Sequence, residues 1–146
     1  MITALAQDLL TRVESLAALT NRTGLSIGGR TNDPGLLKIP LPAAWIVLKN
    51  DTVDESSFQR GPESGLVPPS QEMMATFAIT LFVPYINDAD LLTTQYPLLE
   101  SVWGAIHAKE SPSGYRWRYI GQHIALVYPD RICYEQRFTV SFVTNA

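Results

Sequence analysis

The stretch from Trp117 to Val143, WRYIGQHIALVYPDRICYEQRFTVSFV, decides the fold of this protein. Bulky residues recur with period two along two arms, Trp117–Tyr128 and Ile132–Val143, which is the pattern of β-strands. The segment between the arms, Tyr128-Pro129-Asp130-Arg131, has the residues of a tight turn. The stretch therefore predicts one long antiparallel hairpin.

The second arm of this hairpin has two chemically different faces. The apolar face consists of Ile132, Tyr134, Phe138, Val140 and Phe142, and the other consists of Cys133, Glu135, Arg137, Thr139 and Ser141. Such a strand packs one face on a core and turns the other to water or to a partner. Because arms of about twelve residues exceed the usual five or six, we expect helices to cover them or the sheet to continue into a neighbouring subunit.

The composition indicates one globular domain spanning residues 1–146. Hydrophobic residues make up 46% of the chain and charged residues 17%, which is typical of a chain that buries a core. The single cysteine, Cys133, excludes an internal disulfide and fits a reducing compartment. No apolar run approaches the roughly twenty residues of a membrane span, and the N-terminus lacks the pattern of a signal peptide. We therefore expect a soluble cytoplasmic protein with no membrane partner.

Charge is unevenly distributed along the chain. Residues 51–110 contain nine acidic and two basic residues, a net charge of −7, whereas the remainder contains nine basic and five acidic residues, a net charge of +4. A nucleic-acid-binding protein would show a basic stripe with interleaved aromatic residues, so we expect no nucleic acid partner. The division suits head-to-tail contact between copies of the chain, although scattered solvated charge would give the same totals.

Two amphipathic helices are predicted outside the hairpin. The first covers residues 2–19, where apolar residues recur every three or four positions, and Asn21–Gly24 ends it. Its apolar stripe consists of Ile2, Leu5, Leu9, Val13 and Leu16. The second covers Thr94–Lys109, with Thr93 or Thr94 as its cap and Pro97 in its first turn. Its apolar stripe consists of Leu98, Leu99, Val102, Trp103 and Ile106.

Two further strands and two irregular stretches complete the chain. Leu25–Pro42 predicts a loop with a short extended piece, and Ala43–Leu48 predicts a central strand. The 21 residues Asn50–Ser70, with two Gly and three Pro, predict a long polar loop of the kind that is usually functional or disordered. Met73–Val83 alternates as a strand that Pro84 ends.

The order of these elements defines the fold class. Helix, strand, long loop, strand, helix and hairpin follow one another without the rhythm of βαβ units. We expect an α+β fold, in which a mainly antiparallel sheet of about four strands carries two helices packed on one face. Leu9, Leu16, Val102 and Ile106 should then share one core.

No motif predicts catalysis, a bound cofactor or a metal. Gly24-Leu25-Ser26-Ile27-Gly28 matches the nucleophile elbow of hydrolases, but a helix precedes it and Gly29–Gly35 cannot begin the helix that the motif requires. His107 and His123 lie in no metal-binding frame. Cys133 has no catalytic partner that the sequence identifies, and it is assigned to a small buried or edge position.

Several short motifs, in their order along the chain, resemble a known family. After the N-terminal helix come the strand Pro42-Ala43-Ala44-Trp45-Ile46-Val47, the long polar loop, and the strand Phe77-Ala78-Ile79-Thr80-Leu81-Phe82-Val83. The helix Leu98–Ile106 and a hairpin ending in Phe138-Thr139-Val140-Ser141-Phe142 follow. Over nearly the whole chain this pattern resembles the tail terminator (tail completion) proteins of long-tailed bacteriophages and related prophages.

The resemblance implies a structural role in virion assembly and no catalytic residues. It implies a homo-hexameric ring that caps the tail tube and contributes to the head–tail joint, with tail tube and neck proteins as partners. The protein would be in the host cytoplasm during assembly and in the virion tail afterwards. The alternative is a small-molecule-binding module or small enzyme with a cavity between helices and sheet.

The division of charge suggests which residues would meet between subunits of such a ring. Complementary charge favours the correct partner face. The residues expected at the subunit interface are Arg30, Asp54, Glu55, Glu63, Glu72, Arg116 and Arg118.

Overall fold

The computed structural model describes residues 1–26, 40–53 and 70–145. The elements are helices α1 (Ile2–Glu14) and α2 (Tyr96–Ile106) and strands β1 (Thr23–Ser26), β2 (Ala43–Val53), β3 (Ser70–Pro84), β4 (Arg118–Val127) and β5 (Arg131–Asn145). The strands form one sheet in the order β1-β2-β3-β5-β4, in which only the β1–β2 pair is parallel. The α+β class is therefore confirmed, but the described sheet is mixed and has five strands rather than about four. None of the helices in these ranges is long and apolar enough to span a membrane.

The long C-terminal hairpin is present as β4 and β5. Its turn is closed by the Tyr128 N–H, which donates to the Arg131 carbonyl at 2.8 Å. β5 pairs along its whole length with β3, from Pro84 opposite Arg131 to Ser70 opposite Asn145. The second arm of the hairpin is therefore an inner strand, and β4 forms one edge of the described sheet.

The predicted loop Asn50–Ser70 is wrong at both ends. β2 continues to Val53, which lies opposite Met73, and β3 already begins at Ser70. Backbone pairing needs a partner strand rather than apolar side chains, so a polar composition conceals these strand ends. Residues 54–69 of the predicted loop lie outside the described residues.

An additional strand, β1, occupies part of the region that was assigned to a helix stop and a loop. Its Gly24 lies opposite Trp45, and a Cβ at Gly24 would stand 2.6 Å from a ring carbon of that tryptophan. Only glycine permits this close approach, so Gly24 is a strand residue packed under an indole. Asn21, with φ of 62°, has the left-handed conformation expected at the end of the helical region.

Both helices are shorter than predicted. α1 ends at Glu14, and a 3₁₀ turn from Ala17 to Leu19 then buries Leu19 in the core. α2 runs from Tyr96 to Ile106 instead of Thr94–Lys109, because a π-helical turn occupies Leu91–Gln95 and Ala108 has φ of 61°. Neither Thr93 nor Thr94 caps α2, whereas Pro97 does lie in its first turn.

A buried glutamine fixes the start of α2 on the sheet. The Gln95 amide donates to the Pro84 carbonyl at 3.1 Å and accepts from the Tyr134 hydroxyl at 2.6 Å. Both polar ends of this fully buried side chain are therefore satisfied.

The two helices lie on the same face of the sheet, as predicted. Leu9, Val102 and Ile106 are fully buried in one cluster, and Leu16 packs against it. Trp117 lies at the centre of this core, where its ring meets Phe77 edge to face at 5.9 Å. Its indole N–H donates to a carboxylate oxygen of Asp8 at 2.8 Å, so the largest buried side chain has no unpaired polar atom.

Candidate subunit interface

Three of the seven predicted interface residues line a common cleft. Glu72, Arg116 and Arg118 surround a space of about 550 Å³. The other four, Arg30, Asp54, Glu55 and Glu63, lie outside the described residues.

The cleft is formed by the sheet and by the turn that leads into β4. Arg118 is the first residue of β4 and lies opposite Thr139 on β5. The turn is attached to β5 by the Ser113 hydroxyl, which donates to the Ser141 carbonyl at 2.7 Å. One guanidinium nitrogen of Arg116 donates to the Ala108 carbonyl at 3.0 Å, which orients this side chain.

The charges of the cleft do not neutralise one another by contact. Within the described ranges no ion pair joins Glu72 to Arg116 or Arg118. Glu72 and the two arginines, all expected at the subunit interface, thus share one cleft within a single copy of the chain. With two guanidinium groups and one carboxylate, the cleft is net basic and suits an acidic partner surface.

A second charged cluster surrounds Glu135 on the sheet face opposite the helices. Its carboxylate contacts Arg137 at 2.9 Å, Lys49 at 3.4 Å and His123 at 3.5 Å. Burial alone would raise the pKa of Glu135, but the Arg137 hydrogen bond and the nearby positive charges outweigh it, so this pKa lies below its ordinary value. Because the residues of this cluster come from three different strands, no local sequence pattern predicts that they meet.

Exposed apolar side chains gather along β4 and α2. On the edge strand these are Ile120, Ile124 and Val127, and on the helix they are Tyr96 and Trp103. Trp103 is 42% exposed, so its assignment to the apolar stripe facing the core is wrong. Edge strands with exposed apolar side chains are common sites of contact with another chain.

One sequence signal could have revealed this surface. The register of β4 shifts between Tyr119 and Gly121 and again between Ile124 and Leu126. Because the second shift interrupts the two-residue alternation, Ile124 and Val127 both lie on the helix-bearing face, opposite Tyr134 and Ile132, and they are exposed at the sheet edge. In the sequence, this irregularity is indicated by Gly121 within the strand and by the unbroken apolar run from Ile124 to Val127.

Cys133 and His107, two of the residues considered for catalysis, are each packed against other side chains. Burial, together with the charge of Glu135, raises the pKa of the Cys133 thiol to about 12. His107 accepts a hydrogen bond from the Tyr119 N–H at 3.2 Å and stacks on Trp103, with ring centroids 4.9 Å apart. In the described part of the chain, no three His, Cys, Asp or Glu residues are grouped as metal ligands would be.

The fold formed by these elements is shared with a solved structure. A chain of the virion of a native gene transfer agent particle is similar, with a TM-score of 0.61 over 98% of this chain and 97% of that chain. The two sequences are 14% identical, so the likeness establishes a common fold. No family model matches the sequence, and no curated protein matches it either.

Proposed function

We propose that this chain is a structural protein of a phage-like virion and has no catalytic activity of its own. The observation that carries the proposal is the match, nearly end to end in both chains, with a chain of a gene transfer agent virion. Coverage of 98% and 97% means that the shared unit is the whole domain rather than one supersecondary motif.

The finer proposal is a homo-hexameric ring that caps the tail tube and contributes to the head–tail joint. Its partners would be tail tube and neck proteins, met first in the host cytoplasm and retained in the virion tail. A closed ring needs two different surfaces on each subunit that complement each other. The basic cleft at Arg116 and Arg118 and the edge of β4 and α2, where Glu100 is exposed, would be two such surfaces.

The alternative function, binding of a small molecule between helices and sheet, has weaker support. The described space between α2 and the sheet has a volume of about 210 Å³. Ligand pockets usually measure roughly 300–1,000 Å³. A space of this size accommodates a side chain better than a cofactor.

Sedimentation of the purified protein over a range of concentrations tests the assembly directly. We expect a species of six times the 16.2 kDa chain mass at high concentration, and negative-stain images of rings. A strict monomer at every concentration would overturn the self-assembly proposal.

Charge reversal tests the electrostatic part of the ring contact. Replacing Arg116 and Arg118 by glutamate should weaken assembly at low salt, while Lys109→Glu, an exposed reversal outside the cleft lining, serves as the control. Each exposed pair contributes only about 0–1 kcal/mol, so the loss should be partial. Salt should weaken the unmodified ring, because the screening length falls to roughly 3 Å at 1 M. If neither added salt nor reversal of Arg116 and Arg118 changed the extent of assembly, the charge division would play no part in it.

A further inference from the structure

A groove lies between α2 and the edge strand β4. Its lining residues are Leu99, Glu100 and Trp103 from the helix and Tyr119, Gln122 and Gln136 from the sheet. Two aromatic rings, one carboxylate and two amides therefore converge on a space the size of one large side chain.

The floor of the groove contains an amide that lacks one hydrogen bond. Gln136 is 1% exposed, and its Nε2 donates to the Leu99 carbonyl and to Oε1 of Gln122, both at 3.0 Å. Because a carbonyl can only accept, this arrangement fixes which end of the amide is the nitrogen. The remaining atom, Oε1 of Gln136, has no hydrogen-bond partner in the described residues. This oxygen is fully buried, so it offers no direct contact to an incoming group, but its unpaired dipole makes the floor of the groove electronegative.

The side chains at the rim of the groove favour a positively charged hydrogen-bond donor. Glu100 is exposed and forms no ion pair within the described ranges. Trp103 and Tyr119 supply ring surfaces that attract cations. A planar guanidinium carries five N–H donors and stacks on aromatic rings, so it can pair with the carboxylate and pack on the rings above this electronegative floor.

One arginine of the described residues is available for such a contact. Five of them donate hydrogen bonds within their own subunit, namely Arg12, Arg22, Arg116, Arg131 and Arg137. Arg118 is exposed and donates none to a described residue. It precedes Tyr119 on β4, and successive strand residues point to opposite faces of the sheet. The Arg118 side chain therefore lies on the face away from the groove of its own subunit.

We propose that the groove between α2 and β4 receives the guanidinium of Arg118 from a second copy of this chain. The contact joins different surfaces of the two copies, one on each face of the sheet edge, and is therefore heterologous, as a closed ring requires. The inference rests on the proposed self-assembly and adds to it the residues that set the geometry of neighbouring subunits.

Exchange of the two charges tests the pair. We expect Glu100→Arg and Arg118→Glu each to weaken assembly about tenfold, as for charge pairs that are partly desolvated at an interface. The double variant, with both charges exchanged, should recover most of the lost association. Glu14→Arg is the matched control, because Glu14 lies on α1, outside both the groove and the cleft, and forms no ion pair within the described ranges. Circular dichroism of each variant shows whether the monomer remains folded.

The outcomes separate this contact from assembly in general. Recovery in the double variant supports the pair, because two unrelated disruptions would add instead of cancelling. Rings that form equally well in both single variants would overturn this contact and leave self-assembly standing. Two weak single variants without recovery in the double would also reject the pairing. An unmodified protein that remains monomeric would overturn both proposals.

Discussion

Replacing Val102 by aspartate should abolish folding of the isolated domain. Val102 is fully buried between the two helices and the sheet, in one cluster with Leu9 and Ile106. Losing its two methyl groups costs about 1.5–2 kcal/mol, at roughly 0.8 kcal/mol for each buried CH₂. Burying an unpaired carboxylate adds several kcal/mol more. The sum is comparable with the whole stability of a typical domain, about 5–15 kcal/mol.

Two further variants divide this cost into its parts. Val102→Ala removes the methyl groups without adding charge and should cost about 2 kcal/mol, which lowers Tm by roughly 4–8 °C in a domain of this size. Ser101→Asp adds the same charge one position earlier, where the side chain is exposed, and should change the stability by no more than about 0.5 kcal/mol.

Urea unfolding followed by circular dichroism measures all three variants. We expect Ser101→Asp to be the most stable of the three and Val102→Ala to be less stable. Val102→Asp should be unfolded before denaturant is added. If Val102→Asp unfolded cooperatively near the midpoint of the unmodified protein, the packing of α2 on the sheet would be wrong. If Ser101→Asp were equally damaging, the loss would reflect the helix and not its buried face.

Two further predictions concern β5. Because the folded pKa of Glu135 is lowered, its contribution to stability is present above the unfolded value near 4.5 and is lost as the pH falls through the lower folded pKa. Glu135→Gln should therefore lower the unfolding free energy at pH 7. The difference in unfolding free energy between the variant and the unmodified protein should shrink below pH 4.5. A difference that stays constant with pH would contradict this account. Cys133, buried and with a pKa of about 12, should resist a disulfide reagent at pH 8 and react only in denaturant. Fast labelling of the native protein would show that β5 is not covered as the structure indicates.

Short-range patterns predicted the inner faces of the fold correctly. The alternation of Met73–Val83 and of β5 identified strands with one apolar face, and the residues of that face on β5 are buried beneath the helices. The three- and four-residue spacing in α1 and α2 likewise identified their buried faces, with the exception of Trp103. Each of these patterns arises within one element, because the side chains of a strand or helix have a fixed period.

Partners far apart in sequence decided what the patterns missed. Ser70 becomes a strand residue because Asn145, distant along the chain, lies opposite it. Gly24, which has the character of a helix stop, becomes a strand residue because it fits beneath Trp45. Such pairings depend on which strands become neighbours, and no local pattern contains that information.

The sequence by itself determined the fold class, the shared core of the two helices and the long hairpin, because period and polarity belong to each segment. Tertiary structure alone decided that Trp103 is exposed, since α2 lies over β5 and the edge strand β4, and no described strand lies beyond β4 to cover that ring. It also decided that Glu72 lies in the cleft of Arg116 and Arg118, because β3, β4 and β5 meet there. Surfaces at which separate elements converge are fixed by packing, so a candidate interface of this kind becomes visible only when the sheet is assembled.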